Sequence, residues 1–268
     1  MKACRLFGVS DRLALADKDA AATPLCTGDE REDRNFGKGL HKEIAILQEM
    51  LYAERQRKVL LVLQGVDCAG KDGTVHHLFG RINPMGLRPV RFDVPTSAET
   101  ARDFLWRVHL QVPRKGEIAV FNRSHYEDVL HPVVYGQASD IEMGRRYAQI
   151  REFERMLAES GTTIVKVFLH ISKDEQRRRL QDRIDNPEKH WKFDPDDLKN
   201  RKKWSGYLAA YERAIAETDA PHAPWYIVPA DSKPHRDIAV AALLAETMRG
   251  MHLAFPAGDP KLAKLRVK

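Results

Sequence analysis

A glycine-rich segment with one lysine follows an apolar run near residue 60, and its residue types suit the binding of a phosphate chain. The run at 59–63 precedes Gly-Val-Asp-Cys-Ala-Gly-Lys-Asp-Gly-Thr at 65–74. A buried strand that ends in Gly-x-x-x-x-Gly-Lys and opens into a helix directs backbone N–H groups and one ammonium at phosphate. This context predicts a phosphoryl-transfer enzyme. The predicted phosphate-binding residues of the loop are Gly65, Ala69, Gly70, Lys71, Asp72, Gly73 and Thr74.

The residue after the lysine departs from the usual pattern of such loops. A Ser or Thr normally stands there and binds magnesium, whereas this chain has Asp72, with Thr74 two residues further on. A carboxylate is a hard oxygen ligand that suits Mg²⁺, so we expect Asp67 or Asp72 to hold the metal directly or through water. For Asp72 the alternative is a residue at a helix start that is favoured by the helix dipole.

A second polar group follows the third predicted strand. Asn122 and Arg123 stand at its tip, where a phosphate-loop protein usually has an Asp that holds the metal. An arginine there can form two parallel hydrogen bonds with phosphate oxygens. Glu127 and Asp128 come one turn later and complete the predicted set of nucleotide-binding residues. The alternative is a turn at the strand end with solvated charges.

Basic residues cluster between positions 177 and 203. Arg179 and Arg183 are four residues apart, so on a helix they point the same way and could bring two guanidinium groups onto one phosphate chain. Lys192, in an aromatic and basic turn, is a further predicted phosphate-binding residue. A lid of this kind excludes water and neutralises charge on the transferred group. The alternative is a solvated face whose cations pair with Asp174, Glu175 and Asp182.

Strands and helices alternate along the chain in a way that determines where these groups meet. Apolar and β-branched runs predict five strands, at 58–64, 87–94, 117–121, 163–171 and 225–229. Periodicity and capping residues predict a helix from Leu40 and further helices at 71–82, 98–111, 141–159, 173–185, 195–218 and 238–251. The alternation predicts an α/β fold with a mostly parallel five-stranded sheet and helices on both faces. Ligands of such sheets bind at the carboxyl ends of the strands, so the three polar groups should converge there.

The composition restricts the possible classes of protein. The chain has 268 residues, of which 43% are hydrophobic and 31% charged, and a formal charge of +6 that suggests a polyanionic partner. No apolar run approaches the ~20 residues of a membrane span, and the first residues lack the apolar stretch of a secretory signal, so we expect a cytoplasmic protein. The three cysteines lack the spacing of a zinc site and are expected to be reduced thiols.

The predicted organisation is one large domain with an appendage at each end. Residues 1–37 show no lasting hydrophobic period, so we expect an extended N-terminal arm, with a poorly ordered terminus as the alternative. The domain is predicted over 38–256, with the lid at 172–205 inside it. Residues 257–268 are the predicted C-terminal tail.

Five segments between Leu40 and Pro256 together resemble the polyphosphate kinase 2 family. They are the loop at 65–74, Phe-Leu-Trp-Arg at 104–107, Phe-Asn-Arg-Ser-His-Tyr-Glu-Asp-Val-Leu at 121–130, Lys-His-Trp-Lys-Phe at 189–193 and Ala-Pro-Trp-Tyr-Ile-Val-Pro-Ala-Asp at 223–231. The resemblance implies a three-layer P-loop fold similar to thymidylate kinase, with a helical lid. It also implies transfer of a terminal phosphate between inorganic polyphosphate and a nucleotide, with Mg²⁺ or alternatively Mn²⁺ as cofactor.

The resemblance further implies roles for single residues and for partners. The predicted catalytic residues are Asp67, Lys71, Arg123, Arg179 and Arg183, with Asp67 and Asp72 as the candidate metal ligands. Asn122 and Glu127 are most similar to the pattern of members that accept both AMP and ADP. The expected partners are polyphosphate, adenine or also guanine nucleotides, and further copies of the chain in a dimer or tetramer; no nucleic acid and no membrane are expected. Transfer would be a direct in-line displacement without a covalent enzyme intermediate.

Two other functions fit parts of the sequence. A nucleoside monophosphate kinase with ATP as donor would use the same loop on a nucleoside triphosphate. A nucleic-acid-binding protein could use the basic segment to follow a phosphate backbone. The second function leaves residues 65–74 unexplained, and the sequence shows no base-reading motif to support it.

Overall fold

Five strands form the central sheet of the computed structural model, which describes residues 2–10, 13–80, 82–261 and 265–267. The strands are β1 (Lys58–Gln64), β2 (Leu87–Arg91), β3 (Ile118–Asn122), β4 (Thr162–His170) and β5 (Trp225–Pro229). Their order is β2-β3-β1-β4-β5, and each neighbouring pair is parallel. The predicted α/β sheet is confirmed, and it is parallel throughout.

The helices of the described residues cover both faces of this sheet. They are α1 (Lys2–Phe7), α2 (Glu30–Glu54), α3 (Lys71–Phe79), α4 (Ser97–Thr100), α5 (Trp106–His109), α6 (Glu127–Val134), α7 (Asp140–Glu159), α8 (Lys173–Asp185), α9 (Pro195–Lys202), α10 (Trp204–Thr218) and α11 (Lys233–Gly250). Helices α2 and α3 pack against α11, and α6 and α7 pack against α10. In β1 every residue after Lys58 is buried. This is expected for a central parallel strand, because helices cover both faces of its sheet. Within the described ranges no helix has the length and apolar character to cross a membrane.

Helix α2 begins ten residues before the predicted start at Leu40. Asp29 caps it, because its carboxylate accepts hydrogen bonds from the backbone N–H groups of Arg31 and Glu32. The apolar period marked only the buried part of the helix, since most side chains in its first turns are charged and exposed. A capping residue therefore defines this helix start better than periodicity does.

Other predicted elements also differ in their bounds, among them one strand and two helices. The second strand ends at Arg91 rather than at residue 94. The helix predicted over 98–111 is two short helices, α4 and α5, because the Asp103 carboxylate and carbonyl bind the backbone N–H groups of Leu105 and Trp106 in a local turn. The helix predicted over 195–218 is interrupted at Lys203, whose N–H donates to the carbonyl of Asn200, three residues back.

The N-terminal segment is not the extended arm that the sequence predicts. Helix α1 packs against α11 with Ala3 and Phe7 buried, and Gly8 forms an isolated antiparallel bridge with Tyr226 on β5. A 3-10 turn follows at Asp17–Ala21. Met1, Asp11 and Arg12 lie outside the described residues, as do Leu262, Ala263, Lys264 and Lys268 of the predicted tail. The described residues of that tail are exposed.

Candidate active site

The carboxyl ends of β1 and β3 and the start of α11 surround a cleft of about 510 Å³, which residues of the predicted lid also line. This segment, residues 172–205, contains α8, a 3-10 turn at Pro187–Lys192, and α9, and it ends in the first residues of α10; we keep the name lid for it. A smaller cavity of about 70 Å³ adjoins the cleft and shares Asp67 and Arg123 with it. The predicted site residues that line the cleft are Asp67, Gly70, Lys71, Asp72, Gly73, Asn122, Arg123, Arg179, Arg183 and Lys192. Gly65 and Glu127 line the smaller cavity; Ala69, Thr74 and Asp128, although described, line neither.

The loop between β1 and α3 is tightly folded around two glycines. Gly70 has a φ of +102°, and a Cβ at this position would collide with the guanidinium of Arg236. Gly65 has a φ of +154°, and a Cβ there would lie 2.8 Å from the carbonyl oxygen of Leu169. Cys68, in the same loop, also has a positive φ, of 67°. The backbone positions thus require glycine at two of the predicted positions, and the sheet and α11 enclose the loop.

Lys71 begins α3 and is buried under the loop that it belongs to. Its ammonium donates hydrogen bonds to the carbonyl oxygens of Gly65, at 2.6 Å, and Val66, at 3.3 Å. Burial lowers the pKa of Lys71, Arg123 lowers it further, and Asp67 acts in the opposite direction. Because the ammonium is already desolvated and held by carbonyls, a phosphate oxygen needs to displace only these hydrogen bonds to bind it.

Asp67 links the loop, the end of β3 and the lid. One carboxylate oxygen accepts a hydrogen bond from Arg123 at 2.8 Å, and the other accepts one from Asn200 on α9 at 2.9 Å. Arg123 has a left-handed backbone with a φ of 62°, an unusual conformation for a residue with a side chain. Its side chain is 42% exposed, so it can still turn toward a ligand. This junction gives the site one carboxylate and one guanidinium between the two cavities.

The four predicted nucleotide-binding residues are not one group in the structure. Asn122 donates a hydrogen bond to Asp72 across the mouth of the cleft, while Glu127 faces the smaller cavity. Asp128 points away and lies 3.6 Å from Arg107, and burial raises the pKa of its carboxyl. Neighbouring residues of a helix lie about 100° apart, which explains why Glu127 and Asp128 face different surroundings.

Arg179 is not the half of a phosphate-binding pair that its spacing from Arg183 predicts. Its guanidinium is buried, and each of its five N–H donors is directed at a protein oxygen. The acceptors are the Glu175 carboxylate and the backbone carbonyls of Cys68, Ala69, Ala230 and Asp231. In this conformation Arg179 joins the lid to the phosphate loop and to the end of β5, with no donor left for a phosphate.

Arg183 remains available at the cleft, with 23% of its side chain exposed. One nitrogen donates to the Asp197 carboxylate and to the Lys192 carbonyl, both at 2.9 Å. Burial and the nearby Asp67 raise the pKa of Asp197 to about 6, and Arg183 acts in the opposite direction. The Lys192 ammonium lies 4.9 Å from the ring centre of Trp191, an exposed aromatic side chain of the lid.

Several residues of the cleft were missed by the sequence reasoning. Lys233 and Arg236 line it from the start of α11 and Asp197 lines it from α9, while Asn200, also on α9, lines the smaller cavity and donates a hydrogen bond to Asp67. A signal existed for the first pair, because Ser232 and Pro234 mark a helix start directly after the fifth strand, at the ligand-binding edge. No spacing rule marks the second pair, because the fold of the lid brings these residues to the loop.

The two candidate metal ligands fit an ion that is shared with phosphate. Asp67 and Asp72 both line the cleft beside Lys71, and carboxylate oxygens with substrate phosphates are the usual ligands of Mg²⁺. Within the described ranges no three or more His, Cys, Asp or Glu side chains form a metal cage. Since Asp67 already contacts Arg123 and Asn200, and Asp72 contacts Asn122, metal binding would require a change of these partners.

Comparison with known proteins gives consistent matches over most of the chain. The family model for polyphosphate kinase 2 matches residues 28–256. The AMP/ADP-polyphosphate phosphotransferase of Meiothermus ruber is 53% identical over 229 residues, which are 85% of this chain and 86% of the relative. The ADP-polyphosphate phosphotransferase of Rhodopseudomonas palustris is 42% identical over 236 residues, covering 83% of this chain and 81% of the relative.

A solved structure shows the same architecture. The crystal structure of polyphosphate kinase 2 from Arthrobacter aurescens superposes with a TM-score of 0.94 at 42% sequence identity. The superposition covers 98% of this chain and 94% of that chain. The fold similarity therefore includes the N-terminal segment as well as the residues that the family model matches.

Proposed function

This chain belongs to the polyphosphate kinase 2 family and is a polyphosphate:nucleotide phosphotransferase, and we propose that it accepts both AMP and ADP. The terminal phosphate of inorganic polyphosphate is transferred to the nucleotide by direct in-line displacement, forming ADP or ATP. The relative from Meiothermus ruber, named for both nucleotides, supports this substrate range. So do Asn122 and Glu127, which occupy the strand end and the adjoining cavity.

The observation that carries the proposal is the position of Asp67 and Arg123 between two cavities. The larger cleft contains Lys71 and the cations of the lid, and the smaller cavity contains Glu127. In-line transfer requires the attacking oxygen to approach phosphorus on the side opposite the leaving oxygen, whose bond to phosphorus breaks as the new bond forms. Two cavities that meet at one guanidinium permit such an approach, and Arg123 and Lys71 would neutralise charge on the transferred group.

We assign Asp67, with Asp72 as second ligand, to a divalent metal ion and propose Mg²⁺. Phosphoryl-transfer enzymes with loops of this type generally use a divalent ion, which neutralises phosphate oxygens when it is bound. The residues of this chain then orient the phosphates: Lys71 from below the loop, Arg123 from the strand end and Arg183 from the lid. Arg179 holds the lid against the loop.

An assay without ATP tests the proposal. The protein is incubated with Mg²⁺, polyphosphate and either AMP or ADP, and the nucleotides are separated by ion-exchange chromatography. We expect ADP and then ATP from AMP, and ATP from ADP. Reactions without polyphosphate are the control, because they reveal any conversion of two ADP molecules into ATP and AMP. Product only when ATP is supplied as donor would instead indicate a nucleoside monophosphate kinase.

A further inference from the structure

A short segment before α2 contacts both ends of the lid. We call residues 13–21 the strap; it includes the 3-10 turn at Asp17–Ala21. Leu15 and Ala20 of the strap are buried in the protein. The family model begins at residue 28, so the strap lies outside the region by which the family is recognised.

Asp17 bridges the two ends of the lid with its two carboxylate oxygens. One oxygen accepts a hydrogen bond from the backbone N–H of Lys173, the first residue of α8, at 3.2 Å. The other accepts one from the indole N–H of Trp204, the first residue of α10, at 3.3 Å. Lys173 begins α8, the first helix of the lid, and Trp204 begins α10, so a single side chain joins the start of the lid to its end.

The rest of the strap is fixed to the core and to α10. The backbone N–H of Leu15 donates to the Glu212 carboxylate at 2.7 Å, on the helix that follows the lid. The carbonyl of Ala16 accepts a hydrogen bond from His170, at the end of β4, at 2.9 Å. Because Glu212 and His170 both lie outside residues 172–205, these contacts fix the strap to parts of the protein beyond the lid itself.

The strap also supports the residue that caps the lid. The carbonyl of Ala20 accepts a hydrogen bond from the backbone N–H of Asp231 at 3.1 Å. The Asp231 carboxylate in turn accepts hydrogen bonds from the backbone N–H and the hydroxyl of Ser172, both at 2.8 Å. Ser172 is the N-cap of α8. Two routes, through Asp17 and through Asp231, therefore connect the strap to the start of the lid.

We propose that the strap holds the two ends of the lid in a fixed relation and that Asp17 is a positioning residue for phosphotransfer. It touches neither cavity and acts through Lys173 and Trp204. With the two ends joined, Arg183 and Lys192 are presented to the cleft before polyphosphate binds. Without the bridge the lid takes more orientations, and the fraction of molecules ready to bind polyphosphate falls.

The expected kinetic effect, which rests on the proposed function, is a change in KM for polyphosphate with little change in kcat. For Asp17→Ala we expect KM for polyphosphate to rise roughly three- to tenfold, the size of effect that one ordinary hydrogen bond produces, because both bonds to Asp17 are long and not fully buried. At saturating polyphosphate the bound polymer itself orders the lid, so kcat should stay within about twofold of the wild type. Asp19→Ala is the matched control, since Asp19 is an exposed acid of the same turn and lines neither cavity.

The two oxygens of Asp17 give a graded test. Asp17→Asn keeps one acceptor oxygen and replaces the other by a donor, so it can hold one end of the lid but not both. Its KM should lie between those of the wild type and Asp17→Ala. If only the negative charge of Asp17 mattered, the Asp17→Asn and Asp17→Ala variants would have the same KM for polyphosphate. Trp204→Phe removes the indole N–H, and its effect on KM should disappear in the Asp17→Ala background.

Hydrogen exchange without substrate tests the bridge apart from the enzyme activity. In Asp17→Ala we expect faster exchange in peptides that cover 171–176 and 203–208, with unchanged exchange in β1. Unchanged exchange at both lid ends would overturn the proposal even if the enzyme is active. Equal loss of kcat and kcat/KM, or strictly additive effects of the Asp17 and Trp204 variants, would also overturn it. If the phosphotransferase assay itself failed, the hydrogen-exchange result would still show whether Asp17 holds the two ends of the lid.

Discussion

The two walls of the cleft are held by different kinds of contact. One wall, which we call the loop wall, is formed by the loop at 65–74. It depends on backbone geometry, because Gly70 permits the close approach of Arg236 and Lys71 is bound to loop carbonyls. The other wall, which we call the lid wall, is formed by the lid at 172–205. Its outer part depends on ion pairs between side chains of the lid itself. These pairs are Arg178 with Glu175, Lys189 with Asp182 and Arg183 with Asp197.

The difference shows which properties of each wall can change with conditions. The loop wall has a preformed backbone conformation that depends on a few residue types. The lid wall carries many cations, but a large part of their charge is neutralised by neighbouring acids, so its attraction for a polyanion is smaller than its count of basic residues suggests. Partly exposed ion pairs are weakened by salt and by protonation. We therefore expect variants of the loop to affect the reaction itself and variants of the lid to affect binding, stability and pH dependence.

The largest effect is expected for the loop wall, with Lys71→Ala. If the desolvated ammonium binds the transferred phosphate as proposed, its removal should lower kcat by about 10³-fold, at the upper end of losses seen for electrostatic groups in active sites. The loss is catalytic rather than structural, so the far-UV circular dichroism and the melting temperature should remain close to those of the wild type. Lys58→Ala is the matched control, since Lys58 lies at the other end of the same strand. Near-normal turnover in Lys71→Ala would contradict the role of the loop.

The next effect is on stability and concerns the junction between the walls. Arg179→Ala leaves carbonyls of both the loop and the β5 end without their donor, so we expect a loss of about 3 kcal/mol in the free energy of unfolding. Arg177→Ala, on the same helix with a side chain that is 72% exposed, should change it by less than about 0.5 kcal/mol. Urea denaturation of both variants measures the difference. Equal stabilities would show that the contacts of Arg179 add nothing to the folded state.

The loop wall could be predicted from the sequence because its function depends on local spacing. A strand, two glycines and a lysine within residues 58–71 determine the geometry, and the structure brings them together at the predicted edge of the sheet. The lid wall could be predicted only in part. The spacing of Arg179 and Arg183 says that they share a face of α8, but it does not say that carbonyls from β5 approach that face closely enough to bind all of Arg179.

The N-terminal segment shows the same limit. Its hydrophobic pattern is too short for periodicity to reveal α1, and Asp17 has no motif around it. Its contacts are long-range, with Lys173 and Trp204 more than 150 residues away along the chain. Contacts of this kind depend on the tertiary fold, and a single sequence carries no local signal for them.

A smaller effect is expected for the exposed arginine of the lid. Arg183→Ala should lower kcat/KM for polyphosphate roughly tenfold, because one guanidinium is lost while nearby lysines remain. Its partly exposed ion pair contributes little to folding, so the free energy of unfolding should change by less than about 1 kcal/mol. Steady-state kinetics and urea denaturation, compared with Arg179→Ala, measure the two quantities. The reverse result, a stable Arg179→Ala and an unstable Arg183→Ala, would exchange the roles of the two arginines.

The smallest effect is a pH dependence of stability that comes from Asp197. Its pKa is raised to about 6, so between the ordinary range of a carboxyl group and pH 6 the folded protein holds a proton that the unfolded chain has released. The contribution of this group to stability is therefore greatest at the acidic end of that window and falls as the pH rises through about 6. Asp197→Asn cannot titrate, so the melting temperature of the wild type minus that of the variant should decrease between pH 4.5 and 7. Asp196→Asn, which changes an exposed acid on the same helix, is the matched control for the substitution itself. A constant difference for Asp197→Asn would mean that Asp67 and Arg183 leave this carboxyl with an ordinary affinity for protons.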